Sequence, residues 1–236
     1  MLDSIKNKFQ LRFKNREFAA KILVGALEDS LKKIKVDKHK DTLTILSIPR
    51  GGVIVGDIVT NKLPFKAEFD IIVPRKLAAP HNQEIAIGAI MEDETIYLND
   101  EIIMELEIDK EYIEKEKSRQ LDEIKRRTFL YKNTNESLNV KDKIVILVDD
   151  GAATGATIIA TARWIRKQNP KTLVIGIPVA SKNIVETLKK ECDLVTTATT
   201  PSATNFKTVG QYYQEFKPIE DKEVIEVCKR RNLVKL

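Results

Sequence analysis

The sequence predicts an α/β fold: a twisted, mostly parallel sheet flanked by helices, with a helical insertion and a C-terminal hood or tail. Ile144–Val148 is an uninterrupted β-branched and leucine run with no solvated face, as in a central strand of a parallel sheet. Leu173–Val179 and Leu43–Ile48 are apolar runs of the same kind. Leu43–Ile48 and Ile144–Val148 each lead through a glycine-containing turn into a helical period, so one local grammar occurs twice.

In chain order, Asn15–Ile34 reads as an amphipathic helix, with Phe18, Ile22 and Ala26 on one line and Ala19, Leu23, Leu27, Leu31 and Ile34 beside it. Leu43–Ile48 is a strand, Pro49-Arg50-Gly51-Gly52 a turn and Val53–Leu63 a helix. Phe69–Val73 is the next strand. The two prolines and lack of periodicity in Pro74–Asn82 predict a loop, followed by strands at Glu84–Ile90 and Thr95–Leu98. Asp109–Lys132 is helical in propensity and dense in charge, within an insertion at about 100–132, and Asn133–Ser137 is a polar connector. Beyond Val179 come a helix at Lys182–Lys190, a short strand at Asp193–Thr197, an aromatic segment at about 199–236 and a last helix at Asp221–Arg230. The whole, 1–236, is expected to be a single domain.

The chemistry concentrates after Val148. Asp149 and Asp150 end the strand, and the next seven residues, Gly151 to Thr157, are small or hydroxylated. Glycines let backbone N–H groups turn inward, Thr154 and Thr157 add hydroxyls, and a helix N-terminus contributes positive potential, which together make an anion cradle. Carboxylates beside it can accept hydrogen bonds from sugar hydroxyls. Arg50, Gly51 and Gly52 offer a second phosphate contact: a guanidinium fork and close main-chain approach.

The segment from Lys143 to Thr157 resembles the phosphoribosyl-pyrophosphate signature of type I phosphoribosyltransferases: apolar residues, two acids, three small residues, then Thr-Gly-x-Thr. The resemblance extends along the chain to a group of predicted phosphoribosyltransferases in which Pro-Arg-Gly-Gly, Arg-Lys-Leu, Ala-Ile-Gly-Ala and Val-Gly-x-x-Tyr recur in this order. It implies that Gly151, Ala152, Ala153, Thr154, Gly155, Ala156 and Thr157 bind the donor 5-phosphate. It further implies that Asp149 and Asp150 bind the ribose hydroxyls and act with Arg50 in catalysis, and that Arg50, Gly51, Gly52, Arg75 and Lys76 bind pyrophosphate. Mg²⁺ would be held by substrate and water near Asp149 and Asp150, with no direct protein ligand. The stretch Pro74–Asn82, including His81, would be a mobile loop over the site, and the protein a homodimer. The implied reaction transfers phosphoribose to a nucleobase or related nitrogen acceptor with release of pyrophosphate; the motifs leave the acceptor undefined.

Ala153 departs from hypoxanthine-type members, which carry an acid there, so no general base for a purine nitrogen is visible in the loop. Tyr212 and Tyr213 could stack on a base or glue the tail to the core. Lys125-Arg126-Arg127 is either a surface for RNA or an acidic partner or, as favoured here, a solvated helix face. Two other functions use the same pocket: a sensor of phosphoribosyl pyrophosphate or nucleotide that regulates through RNA or DNA, and a nucleotide hydrolase or phosphorylase. The charge of +5, from 40 basic and 35 acidic residues, suits a phosphate-rich small ligand without calling for nucleic acid. Cys192 and Cys228 have neither disulfide-framework nor zinc-ligand spacing. No run is long and apolar enough for a membrane span, and the first eight residues lack the apolar core of a signal peptide, so the cytoplasm is the expected compartment.

Overall fold

A computed structural model describes residues 12–37, 39–134 and 138–234. Residues 1–8 and the last three residues of the polar connector, 135–137, therefore lie outside the described residues. Helix α1 (Arg16–Lys33) is followed by β1 (Thr42–Ser47), α2 (Gly51–Lys62), β2 (Lys66–Ile71), β3 (Arg75–Ala79), β4 (Asn82–Ile90) and β5 (Ile96–Leu98). Next come α3 (Asp100–Glu105), α4 (Lys110–Lys132), β6 (Ile144–Val148), α5 (Ala156–Lys167), β7 (Thr172–Val179), α6 (Lys182–Leu188) and β8 (Leu194–Thr199). Two short 3₁₀ turns, Ala203–Asn205 and Val209–Tyr212, lead to α7 (Asp221–Arg230).

Five strands form a parallel sheet in the order β2-β1-β6-β7-β8, and β3-β4-β5 form a separate antiparallel sheet. The main sheet has a core on each face because β6 alternates. Ile144, Ile146 and Val148 pack with Leu23 and Leu27 of α1 and Val55 and Val59 of α2. Val145 and Leu147 face Ile158, Ile159, Ala162 and Ile165 of α5 on the other side. In α1, Asn15 caps the helix by accepting the Phe18 N–H at 3.0 Å.

The antiparallel sheet and α4 form a hood with its own core of Leu77, Ile87, Ile90, Ile108, Ile113 and Ile124. Asp109 starts α4 by accepting from the Tyr112 N–H at 2.7 Å, and the Tyr112 hydroxyl donates to the Ala78 carbonyl at 2.8 Å. The expected loop at Pro74–Asn82 is corrected here: Arg75–Ala79 is a strand paired with β4, leaving Pro80 and His81 as its turn. Register shifts on both sides of Ala78 break the two-residue alternation, and Leu77, Ala78 and Ala79 are all buried, so no strand period is visible in the sequence. β2 begins three residues before the expected Phe69 and ends at Ile71. Its alternating Lys66, Glu68 and Asp70 suit a sheet edge, a pattern that a search for apolar runs passes over.

C-terminal helix α7 packs Val224, Val227 and Cys228 into the core beside α2. Buried Asp57 of α2 fixes it there, accepting from Arg230 Nη2 and Arg231 Nε, both at 2.7 Å, while its carbonyl accepts from Arg231 Nη2 at 2.8 Å. Asp57→Ala is expected to destabilise the protein by about 2–3 kcal/mol in urea unfolding, because the largely buried Arg231 guanidinium loses its carboxylate. A midpoint and slope equal to wild type would show that apolar packing alone seats α7.

Candidate functional site

The connection from β1 through α2 leads to β2 on one side, and that from β6 through α5 leads to β7 on the other, so the order in which the parallel strands are added reverses between β1 and β6. Open α/β sheets accommodate ligands at the carboxyl ends of strands flanking such a reversal. Ser47 is in register with Val148, so the turn at Pro49–Gly52 and the loop beginning at Asp149 leave the sheet side by side. Their contact tolerates no side chain. A Cβ on Gly51 would collide with Asp150 Oδ2, and one on Gly52 would lie 2.8 Å from Asp149 Cα and 2.9 Å from the Val148 carbonyl oxygen.

Both loops end in helix N-termini. Gly51 and Gly52 form the first turn of α2 and are not part of a loop preceding it, and the Pro49–Arg50 peptide is cis. α5 starts at Ala156 behind Gly155, whose φ of 75° favours glycine. The N–H groups of Ala153, Thr154 and Gly155 donate no hydrogen bond within the described protein. Ala153 and Thr154 are exposed, Thr157 is partly so, and Thr154 Oγ1 accepts the Ala156 N–H at 3.4 Å. Ala152 differs: it is buried and its N–H is bonded to the Val179 carbonyl at 2.9 Å, so it anchors the loop and has no donor left for a phosphate. Free N–H groups at the start of a helix are an anion-binding arrangement.

The acidic pair is held at its side chains and at its backbone. Asp149 Oδ1 accepts the Asp150 N–H at 2.8 Å. Arg16, from the first turn of α1, donates through Nε to Asp150 Oδ2 at 2.7 Å and through Nη1 to the Lys217 carbonyl at 2.7 Å, with its guanidinium carbon 3.9 Å from the centre of the Phe216 ring. The Tyr213 hydroxyl donates to the Asp150 carbonyl at 2.6 Å. Burial raises the Asp149 pKa well above the ordinary carboxylate range, and the neighbouring charge of Asp150 adds to this. Burial also raises Asp150, against which the ion pair with Arg16 works in the opposite direction. The pair thus favours a single negative charge, on Asp150 facing Arg16, with the proton on Asp149.

Among the other expected site residues, Arg50 is half-exposed, with Nη1 3.8 Å from Asp221 Oδ1. The same Asp221 oxygen accepts the hydroxyl of buried Tyr131 at 2.6 Å. Arg75 donates through Nε to Gln120 Oε1 of α4 at 2.7 Å, and Lys76 Nζ donates to the Gln83 carbonyl of its own hairpin at 2.6 Å. Neither hydrogen-bonds to the Asp149 or Gly51 loops in the described protein. His81 is exposed in the hairpin turn. Tyr212 and Tyr213 are 0% and 2% exposed, which corrects the base-stacking expectation. Tyr212 stacks on Phe206 at 5.3 Å, while Tyr213 lies against Phe13 at 5.3 Å and Phe216 at 4.8 Å. In the basic cluster, Arg126 and Arg127 both pair with Glu123, at 2.7 and 2.6 Å.

Sequence reasoning missed Arg16, Tyr213 as an anchor of Asp150, and Asp221. Arg16 reaches an acid 134 residues away, and a single arginine opening an amphipathic helix carries no motif.

Among the described residues no group of three or more His, Cys, Asp or Glu could hold a metal ion. Asp149 and Asp150 offer the hard oxygen donors that Mg²⁺ takes, but Asp150 Oδ2 is committed to Arg16. The donor set fits an ion bound chiefly through phosphate, sugar and water oxygens and not one caged by protein.

A family model described as the phosphoribosyl transferase domain matches residues 15–215. Relatives in Mycobacterium tuberculosis strains CDC 1551 / Oshkosh and ATCC 25618 / H37Rv, each named "Putative phosphoribosyl transferase", are 33% identical over 188 residues. The match covers 80% of this chain but 42% of each of theirs, so the chain spans less than half the length of these relatives. The crystal structure of TT1426 from Thermus thermophilus aligns with a TM-score of 0.71 at 32% identity, covering 95% of this chain and 100% of that one. No helix among the described residues is long and apolar enough to cross a membrane. The two loops at the reversal of the sheet thus lie in a chain matched along most of its length, and this chain belongs to the phosphoribosyl transferase domain family.

Proposed function

We propose that the protein is a phosphoribosyltransferase that uses phosphoribosyl pyrophosphate with Mg²⁺ and passes phosphoribose to a nucleobase or related nitrogen acceptor. The observation that carries this is the convergence of the two loops: Gly51 and Gly52 pack directly on Asp150 and Asp149, and both loops present helix N-termini. One loop suits the 5-phosphate, the other the pyrophosphate, and the two acids between them suit the ribose.

In this mechanism Ala153, Thr154, Gly155 and Thr157 hold the 5-phosphate through N–H and hydroxyl donors at the start of α5. Asp149 and Asp150 accept hydrogen bonds from the ribose 2- and 3-hydroxyls and fix the sugar against the α2 N-terminus. Arg50, Gly51 and Gly52 receive the pyrophosphate, and movement of Arg50 away from Asp221 frees its guanidinium for that role. The acceptor nitrogen forms a bond to the anomeric carbon as the bond from that carbon to the pyrophosphate oxygen breaks. Its electron pair leaves on pyrophosphate, and the acceptor's proton passes to solvent. Positive charge develops on the sugar as in glycoside cleavage, and the negative charge favoured on Asp150 would stabilise it. Mg²⁺, when bound with the donor, supplies neutralisation of the leaving polyanion. The sensor alternative relied on Lys125-Arg126-Arg127, and Glu123 already pairs with two of those three side chains and offsets one of their charges.

Three measurements test this. Calorimetric titration with phosphoribosyl pyrophosphate should give Mg²⁺-dependent binding that Asp150→Asn weakens by about tenfold or more, the effect of one charge-assisted hydrogen bond; equal binding by the variant removes this carboxylate from the site. Arg16→Gln should weaken donor binding at neutral pH and recover part of it at higher pH, since Asp150 without its counter-ion ionises less readily. A pH-independent loss would mean that Arg16 acts only in packing. The third is stability. Because folding raises the Asp149 pKa, the folded state holds a proton that the unfolded chain has released, so its stability falls as pH rises from about 4 through the folded pKa. Asp149→Asn should therefore melt higher than wild type at neutral pH, with the difference shrinking toward pH 4. A constant or reversed difference would show that burial does not disfavour the ionised form.

A further inference from the structure

Arg50, Asp221 and Tyr131 meet where three helices begin or end, and they are held to different degrees. Tyr131, in the last turn of α4, is fully buried, and its hydroxyl donates to Asp221 Oδ1 at 2.6 Å. Burial raises its pKa and the bond to Asp221 raises it further, so the hydroxyl keeps its proton and remains the donor. The next residue, Lys132, pairs with Asp70 of β2 at 2.8 Å with both side chains largely buried, which pins this end of α4 to the main sheet. Asp221 opens α7, and α7 is seated by Val224, Val227 and Cys228 and by the bonds of Arg230 and Arg231 to Asp57. The tyrosine and the acid therefore stand on anchored helices.

Arg50 is the loose member of the three. It sits just ahead of the first turn of α2, and its side chain is 37% exposed. Among the described residues its guanidinium makes no hydrogen bond; what it has is the ion pair with Asp221 Oδ1 at 3.8 Å. That distance lies beyond hydrogen-bond range, and a pair so exposed is weak. A phosphate oxygen offers the same guanidinium charge-assisted hydrogen bonds at about 2.7–2.9 Å. When a polyanion arrives beside Gly51 and Gly52, Arg50 is the side chain that moves and Asp221 the one that stays. The exchange does not strip Asp221, because the Tyr131 hydroxyl remains on it and the charge of Arg126 on α4 acts on it as well.

We propose that Asp221 is a positioning residue for Arg50 that competes with pyrophosphate: it holds the guanidinium between turnovers, yields it to the donor and recovers it as pyrophosphate leaves. The Tyr131 hydroxyl offsets part of the Asp221 charge and so sets how strongly the acid competes. The proposal rests on the transferase reading and gives the charged insertion helix a part in the reaction, since α4 tunes the hold on the leaving group through Asp221.

The test is calorimetric titration of pyrophosphate, phosphoribosyl pyrophosphate and ribose 5-phosphate, each with Mg²⁺, onto wild-type protein and variants. Asp221→Asn keeps an acceptor for the Tyr131 hydroxyl and removes the charge. It should bind pyrophosphate and the donor about two- to fivefold more tightly at low salt, with the gain shrinking as salt rises. Ribose 5-phosphate, which carries no pyrophosphate, should bind as it does to wild type. Tyr131→Phe leaves Asp221 with its charge less offset and should weaken binding of both pyrophosphate ligands. Damage to packing at this junction would weaken binding in both variants, so opposite signs separate competition from support. The gain from Asp221→Asn should vanish in the Arg50→Gln background, where a general effect of removing a negative charge would survive. Should Asp221→Asn fail to fold, Tyr131→Phe with and without Arg50→Gln decides in the same way. An Asp221→Asn affinity equal to or below wild type overturns the proposal, as does a gain that persists without Arg50 or shifts of the same sign in the two variants. Failure of wild-type protein to bind either pyrophosphate ligand would defeat the transferase reading and this proposal together, whereas wild-type binding that Asp221→Asn leaves unchanged defeats this proposal alone.

Discussion

Two adjacent carboxylates at the end of a buried strand repel each other and resist loss of water, and the surroundings of Asp149 and Asp150 are built to make that placement tolerable. Arg16 neutralises one charge at 2.7 Å, Tyr213 holds the Asp150 backbone, and the glycines of the neighbouring turn leave room for both acids. A guanidinium held at the same time by a carboxylate, a carbonyl and an aromatic face has little freedom to leave. The ion pair therefore organises more than one side chain. It brings the first turn of α1 and the segment around Lys217 to the end of β6, and the N- and C-terminal segments meet there through the Phe13–Tyr212 and Phe13–Gln214 backbone hydrogen bonds.

This arrangement gives the aromatic tail a mechanical role. Phe13, Tyr212, Tyr213, Phe206, Val209 and Phe216 form a small apolar cluster with Val179, at the end of β7. Val179 also accepts the hydrogen bond that anchors Ala152. The phosphate-type loop is thus braced by the sheet and by the tail, and its exposed donors at Ala153 and Thr154 sit on a fixed base. Rigid support beneath a few exposed polar groups is what precise binding of a charged ligand requires.

The hood joins the main core through Ala89 and Met91, which pack in the cluster around α5, and through polar contacts. Lys132, at the end of α4, pairs with Asp70 of β2 at 2.8 Å in a largely buried setting, and Tyr131 reaches Asp221. The helix that covers the antiparallel sheet thus ends beside Arg50, and Asp57 fixes the helix that carries Asp221. Donor loop, hood and C-terminal helix meet at one charged junction.

The sequence by itself determined the parallel core and the phosphate chemistry, because both are local. An all-apolar strand, a glycine at a left-handed turn and a helix start can be read within a dozen residues, and Ile144–Val148 and Asp221–Arg230 lie where their patterns placed them. Tertiary structure decided what depends on distant partners. Arg75–Ala79 became a strand by pairing with β4 across a bulged hairpin, Tyr212 and Tyr213 turned inward because Phe13 and Phe206 cover them, and Ala152 lost its donor to β7. Arg16 is the clearest case. Nothing near it in the chain marks it, since a buried acid's counter-ion is selected by proximity in space, and proximity is set only when the sheet and both terminal segments have packed.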